Sequence, residues 1–461
     1  MIQTIVIAIP GLVALIVCIR RGPEQALLDV YLPVLLLMPE HHWLISGQFS
    51  FTDTTILPIA AFLLFRSKRK WQWNTIDFLV ISYMAITVVA EGMNKGYKEG
   101  SQNLALQELT SILLPYLAAK HMFQHRQFAV DFAKRIAVLL TIVSILSVYE
   151  FRMSSDLFTQ FFDRIFPHTG NTVVFRAGFM RIQGPYGHAI ALGWMMAFGF
   201  RIARWLEWNG AWSNRMRFLP MTKIRFCELW IVAGSIMSLS VGPWLGAACG
   251  AVVVSVLRAR NRWRAIVSLI LLTVFVGVPI YGKFKAYVSV DPAVAQKSGD
   301  ALQEDSAYRN KLIPLYTPLV EERPTWGWGR NRIPVLEGMN SIDNDYLLVA
   351  LTFGLYALYL RVALFVWPAI RLGIFSLPLS HTDPRALAAF SIIGIYVINA
   401  VVARTVSAAG ASLVFMYIIA GWSSALLNAP TPEIATTPEI ARIDVVRPLP
   451  RTQSRFRRVM V

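Results

Sequence analysis

Long apolar runs recur along almost the whole of this chain, and they restrict its fold more than any other feature. Apolar windows lie near 2–19, 26–39, 54–65, 76–91, 104–120 and 129–150. Others follow near 186–204, 226–241, 243–257, 264–282, 345–370, 386–403 and 408–427. A helix needs about 17 to 25 such residues to cross a bilayer, so the shorter windows read as half-spans or as neighbours with displaced ends. Hydrocarbon satisfies no backbone amide, and a helix satisfies its own. The chain therefore reads as an all-α, polytopic integral membrane protein with about 12–13 transmembrane helices, its single membrane domain covering 1–427.

Composition supports a bilayer setting: 55% of the 461 residues are hydrophobic and only 15% are charged. The net charge of +17 would suit nucleic acid, but the basic residues are confined to short loops between apolar windows, so no nucleic-acid partner is expected. Arg20 and Arg21, the 66–70 cluster, Arg126, Lys134 and Arg135, the 201–225 stretch, Arg258 to Arg264, Arg371 and Arg385 fall on alternate loops. The positive-inside rule assigns that side to the cytoplasm. The first window has no basic leader and no small-residue cleavage site, so it reads as a retained helix with the amino terminus outside. Cys18, Cys227 and Cys249 all lie in apolar windows and offer no metal motif. The tail 428–461, Pro-rich and basic with a doubled "TPEIA", reads as disordered and cytoplasmic.

Two outer loops are too long to be simple connections, 151–185 and 283–345. The first ends in "NTVVFRAGFMRIQGPYGHAIALGW", which brings Arg176, Arg181, Gln183, Tyr186 and His188 to the mouth of a span. A pair of cations there suits a phosphate, although each arginine also has the plainer reading of a solvated or snorkelling side chain. His188 reads equally as a hydrogen-bonded interface residue. In the second loop, Tyr308, Leu312, Leu315, Tyr316 and Leu319 share one helical face, so an amphipathic helix on the outer surface is expected, kinked or shortened by Pro314 and Pro318. Arg309 lies near its start. "GWGRNRIPVLEGMNSIDNDYLLVAL" then leads through Trp328, Asp343, Asn344 and Asp345 into an apolar run. Aspartate near lipid costs about 2.5 to 3.5 kcal/mol at mid-bilayer, so this cluster needs a compensating role. A helix cap by Asp343 or Asn344 is one such role.

The order of these parts, namely "R-x-G-x-x-R-x-x-G" before a span, then "SLSVGPWLG", "S-x-x-R", "G-W-G" and an Asn just before "YLLVALTFGLYALYL", resembles the O-antigen ligase and polysaccharide polymerase superfamily over about residues 50–427. The resemblance implies a GT-C-like inner-membrane glycosyltransferase that works on undecaprenyl-diphosphate-linked glycans at the periplasmic face. It implies diphosphate binding by Arg176, Arg181 and Arg309, and a catalytic Asp343 and Asn344. Gln183, Tyr186, His188 and Trp328 become candidate acceptor or glycan contacts. Two departures stand out: Asp343 occupies the place where ligases of the family commonly have His, and a frequent "S-R-G" reads Ser240, Val241, Gly242.

The chemistry accommodates the first departure. Glycan transfer from a diphosphate-linked lipid to a hydroxyl needs a base for the acceptor and positive charge for the leaving diphosphate. A carboxylate beside Asp345 suits the first task and arginine the second. No Gly-Lys-Ser/Thr phosphate loop is present, and neither a cofactor nor a bound metal is expected. A "D-x-D" chelate by Asp343 and Asp345 is the rival reading. The expected function is polymerisation of lipid-linked repeat units into exopolysaccharide or O-antigen. The alternative is ligation of polymer to a lipid A core. From a different class, a flippase or transporter would show repeated halves, broken helices and mid-span charges. No repeat is visible, and Asp77 and Glu91 fall at span ends. Expected partners are the lipid-linked glycans, the bilayer, a flippase and a chain-length regulator.

Overall fold

The computed structural model describes residues 2–39, 50–66, 71–96, 100–166, 174–176, 178–217, 219–279, 282–283, 286, 301–339, 341–407 and 409–429. The expected tail lies outside these apart from its first two residues. So do much of 283–300 and the basic residues 68–70.

Helices dominate. They begin with α1 (Ile2–Arg21), α2 (Pro23–Ala26), α3 (Leu32–Leu37), α4 (Phe51–Arg66), α5 (Thr75–Lys95), α6 (Gln102–Glu108) and α7 (Leu114–Met122). There follow α8 (Arg126–Met153), α9 (Leu157–Asp163), α10 (Ala189–Trp208), α11 (Lys223–Met237), α12 (Val241–Arg258) and α13 (Arg262–Leu272). The last are α14 (Ala301–Glu322), α15 (Asp345–Phe353), α16 (Leu355–Ser376), α17 (Pro384–Val402) and α18 (Gly410–Leu427). The strands β1 (Phe175–Arg176) and β2 (Phe179–Met180) form a small antiparallel hairpin in the first long loop. Eight of the described helices are long and apolar enough to cross a membrane: α1, α5, α8, α10, α12, α16, α17 and α18. The remaining apolar windows fall on shorter helices such as α4 and α11, or on runs with π-turns at Leu27–Tyr31 and Leu109–Leu113. The chain is an all-α polytopic membrane protein.

Boundaries follow local chemistry. Asn74 opens α5 with a reciprocal capping box to Asp77, and Asp383 caps α17 just before Pro384. At the centre lie α10, α17 and α18, with 83%, 78% and 83% of their apolar windows buried, against 17% for α1 and 22% for α12. Phe198 stacks on Phe415 and Phe123 on Trp422, so large aromatic area fills this centre. We call the end of the bundle bearing residues 154–188 and 301–344 the loop end, and the opposite one the basic end.

The window 345–370, expected as one span, is instead two helices folded against each other. Arg361 Nε lies 3.1 Å from Asp345 Oδ2, and both side chains are almost fully buried. Sixteen residues of straight helix would separate them by about 24 Å, so the pair requires α15 to reverse onto the first turns of α16. The reversal occurs at Gly354, where φ is 88° and a Cβ would stand 2.2 Å from the Thr325 carbonyl oxygen. The break leaves helix-end groups that the "GWG" turn satisfies. Trp328 N–H donates to Leu351 O (2.7 Å), Gly329 N–H to Thr352 O (2.9 Å), and Leu355 N–H to Pro324 O (2.7 Å). Arg330 then ties this turn to α5, donating its backbone N–H and Nε to Glu91 and Nη1 to Gln107.

Asp345 thus has its compensating role as the buried counter-charge of Arg361, whose Nη1 also donates to the Tyr417 hydroxyl at 3.1 Å. Replacing Asp345 by Asn leaves Arg361 buried without that charge. The expected cost is about 3 to 5 kcal/mol, whereas an apolar pair at both positions is expected to be near neutral. Thermal unfolding of the solubilised protein checks both.

The amphipathic helix α14 lies over this hairpin, with Ala307, Leu312, Tyr316 and Val320 buried. It continues through Pro314 and Pro318 rather than ending at either, and Leu315 faces outward at 43% exposure, so the apolar face is narrower than its sequence spacing suggests. Two further ionisable groups are buried, Arg361 inside α16 and Glu108 at the end of α6.

Candidate functional site

Three segments meet at the loop end. The first is the β-hairpin and its exit. Arg181 N–H donates to Val174 O at 2.9 Å, and the backbone N–H groups of Gln183 and Gly184 donate to the two carboxylate oxygens of Glu150 at 2.7 and 3.0 Å. This fastens the loop to the end of α8. The chain then turns at Gly187 (φ 63°) so that His188 caps α10, its Nδ1 accepting from Ile190 N–H at 3.1 Å.

The second segment is the tight α11–α12 connection, where Leu239 adopts a left-handed φ of 47°. Arg181 Nη2 donates to Ser240 Oγ at 2.9 Å and Nε to Ser238 O at 3.4 Å. Arg176 Nη1 donates to Leu239 O at 2.9 Å. The place where family members frequently carry an arginine of their own, here Ser240-Val241-Gly242, is therefore reached by two arginines from the first loop.

The third segment is the start of α14 with the chain leading into α15. Arg176 forms an ion pair with Asp305. Tyr308 hydroxyl donates to Ser341 O at 2.5 Å and accepts from Ser341 N–H at 2.8 Å, which links the residue before Arg309 to the strand carrying Asp343. Asp343 is half-buried, with Oδ1 accepting from Ser341 Oγ at 2.8 Å. Asn344 caps α15, accepting from Tyr346 and Leu347 N–H at 3.1 and 3.2 Å. Asp345 points the other way, to Arg361, and its backbone N–H donates to Ala403 O. The expected neighbour of Asp343 is thus turned into the core, so Asp345 neither flanks Asp343 nor completes a chelating pair with it.

The charges of the three segments act on one another. Burial, together with the charges of Arg176 and Arg309, pushes the Arg181 guanidinium down to about 10, partly offset by Asp305. Burial and the charges of Arg181 and Arg309 also hold His188 below its usual range, with Asp343 and Asp305 opposing. Among the described residues, three guanidinium groups and two carboxylates act on this cluster. Arg309 carries the clearest vacancy in bonding: its Nε is buried and has no hydrogen-bond partner among the described residues.

The depressed His188 fixes a sign. Below the ordinary histidine pKa the unfolded chain takes a proton that the folded one refuses, so the contribution of His188 is present above that value and is lost as pH falls through it. His188→Asn retains a capping side chain and is expected to flatten the fall in thermal midpoint between about pH 7 and pH 5.

Of the candidate glycan contacts, Gln183 and Tyr186 are buried, and the Tyr186 hydroxyl donates to Leu36 O at 3.2 Å. Trp328 Nε1 donates to Leu319 O at 2.9 Å while Arg323 stacks on its ring at 4.2 Å. In this geometry Tyr186 and Trp328 hold elements together rather than point into the cluster. Asp305 and Arg361 were not singled out from sequence, while Ser240 was noted only as a departure from a family motif and Tyr308 only as part of a helical face. Arg361 had a visible signal, a lone cation in an apolar run. Asp305 had none.

Residues 228–361 match the family model described as O-Antigen ligase. Over this segment the match supports the O-antigen ligase and polymerase superfamily. The matched stretch holds Ser238 to Ser240, Arg309 and Asp343 to Asp345, and it ends on Arg361, the partner of Asp345. Arg176 and Arg181 lie before it. Family members are membrane glycosyltransferase-like enzymes. No curated protein matches the chain.

Proposed function

We propose that the chain is a polysaccharide polymerase, joining polyprenyl-diphosphate-linked oligosaccharide repeats at the periplasmic face of the inner membrane. The observation that carries this reading is the meeting of Arg181 and Arg309, one from each long loop and the latter with an unpartnered Nε, beside Asp343. In the reaction the acceptor hydroxyl oxygen attacks the anomeric carbon of the donor while Asp343 takes its proton. The anomeric C–O bond to the diphosphate breaks, and its electron pair leaves with the diphosphate, where the guanidinium groups stabilise the growing charge. Arginine suits this work because it stays charged and offers paired donors to phosphate oxygens. The energy comes from the donor's own diphosphate linkage.

The features that would suit a transporter, a broken helix and a buried ionisable pair, have another role here. The break at Gly354 is closed by the "GWG" turn and the pair by Asp345 with Arg361, and together they set where Asp343 and Asn344 emerge.

The description of the matched family favours a second reading, ligation of finished polymer to another acceptor. A strain lacking the gene separates the two. Accumulated single lipid-linked repeats support the polymerase; accumulated long lipid-linked polymer supports the ligase. Sugar retained on the cytoplasmic leaflet overturns both in favour of a flippase.

A further inference from the structure

A second cluster of arginines lies at the basic end and takes no part in the proposed chemistry. Arg201, Arg204 and Trp208 follow one another at helical spacing on α10, and Arg258 closes α12 beside them. His188, at the loop end, lies 20 residues before Trp208, or about 30 Å of helix away. The three guanidinium groups surround one indole, at 4.7 Å for Arg201, 5.8 Å for Arg204 and 3.7 Å for Arg258 from the Trp208 ring centroid. Arg201 is only 4% exposed, and its stem packs where Gly394 of α17 leaves room, since a Cβ there would stand 2.9 Å from Arg201 Cδ.

The charges do not balance locally. Arg204 is paired with Glu207 and with Glu228 at 3.5 Å. Arg201 and Arg258 have no ion pair among the described residues, and the Nε of each is buried without a hydrogen-bond partner. Stacking on one indole compensates such groups in part, while bringing like charges together opposes them. Between α10 and α12 these residues line a cavity of about 210 Å³, with Phe200 and Ser255 among its walls. One wall of the cavity is thus α12, whose apolar window is only 22% buried, against 83% for α10.

We infer that this cavity is a phosphate-binding site at the basic end, occupied by the headgroup phosphate of an anionic phospholipid held by Arg201 and Arg258. A phosphate supplies several acceptor oxygens and negative charge, which the buried Nε groups of Arg201 and Arg258 lack among the described residues. The inference does not depend on the polymerase reading, because its test measures binding.

Full-length protein, delipidated in neutral detergent, is titrated with short-chain phosphatidylglycerol, with phosphatidylcholine and with inorganic phosphate, and bound ligand is counted by native mass spectrometry. Wild type is expected to hold phosphatidylglycerol, and Arg258→Gln, whose side chain lies at a helix end, to bind it about tenfold more weakly. Arg201→Gln is expected to do the same, with Arg258→Gln serving if that variant fails to fold. Polymer formation in membranes is expected to persist in Arg258→Gln. Inorganic phosphate bound as tightly, with the same loss in the variant, supports the phosphate site and assigns its source to solution. Phosphatidylglycerol binding that is unchanged in Arg258→Gln and in a variant carrying both Arg201→Gln and Arg258→Gln overturns the inference.

Discussion

Membranes carrying Arg309→Ala are expected to contain the protein at its normal level and to make no polymer. The Arg309 Nε is buried and without a hydrogen-bond partner among the described residues, so truncation removes little that holds the fold. Under the proposed function it removes charge meant for the diphosphate. Charge-assisted contacts of this type are worth about 1.5 to 3 kcal/mol each, and if the contact strengthens as the diphosphate leaves, the loss falls on the rate by roughly ten- to more than a hundredfold. Arg309→Lys is expected to recover part of this, since lysine restores charge but not the planar fork. Arg181→Ala is expected to be as inactive, yet it is the less clean test because Arg181 also bonds Ser238 and Ser240. An immunoblot of membranes alongside polymer synthesis from lipid-linked repeats decides the matter. Full activity with both arginines replaced removes the diphosphate assignment.

The extent to which sequence disclosed this arrangement depends on the kind of interaction involved. Local regularities were legible: apolar windows predicted the helices, Asn344 was readable as a cap, and the spacing of Tyr308, Leu312, Tyr316 and Leu319 predicted α14. The prolines do not shorten α14, because a proline inside a helix disrupts only its own turn and the helix packs on a surface of Met339, Ala350 and Leu351. The fold-back of α15 on α16 was hidden because hydropathy records how apolar a stretch is and not the direction in which it runs. Gly354 looked like an ordinary glycine in a span. Only the Thr325 carbonyl packed against it, a contact between segments nearly thirty residues apart, shows why nothing larger fits. The site divides in the same way. Arg181, Arg309 and Asp343 were visible as charges near lipid, whereas Ser240 and Asp305 matter through where the loops bring them, which no spacing encodes.

The fold-back also sharpens the test of Asp343. With Asp345 bonded to Arg361 in the core, the two aspartates of "D-N-D" serve separate ends: one inward for the hairpin, one outward with its Oδ1 on Ser341. Asp343→Asn keeps size and hydrogen-bonding capacity but cannot take a proton, so a general base at this position predicts loss of polymer with no fall in thermal midpoint. Asp345→Asn predicts the reverse order of effects, a fall in midpoint first and activity lost as a consequence. A chelator then distinguishes the remaining rival. If Asp343 acts as base, synthesis in wild-type membranes survives chelation, and Asp343→His, which restores the residue common at this place in the family's ligases, recovers part of the activity of Asp343→Asn. If chelation silences the wild type and magnesium or manganese revives it, Asp343 works through a cation held with groups other than Asp345. Undiminished synthesis by Asp343→Asn ends both accounts and leaves Asp343 as a surface carboxylate beside the Asn344 cap.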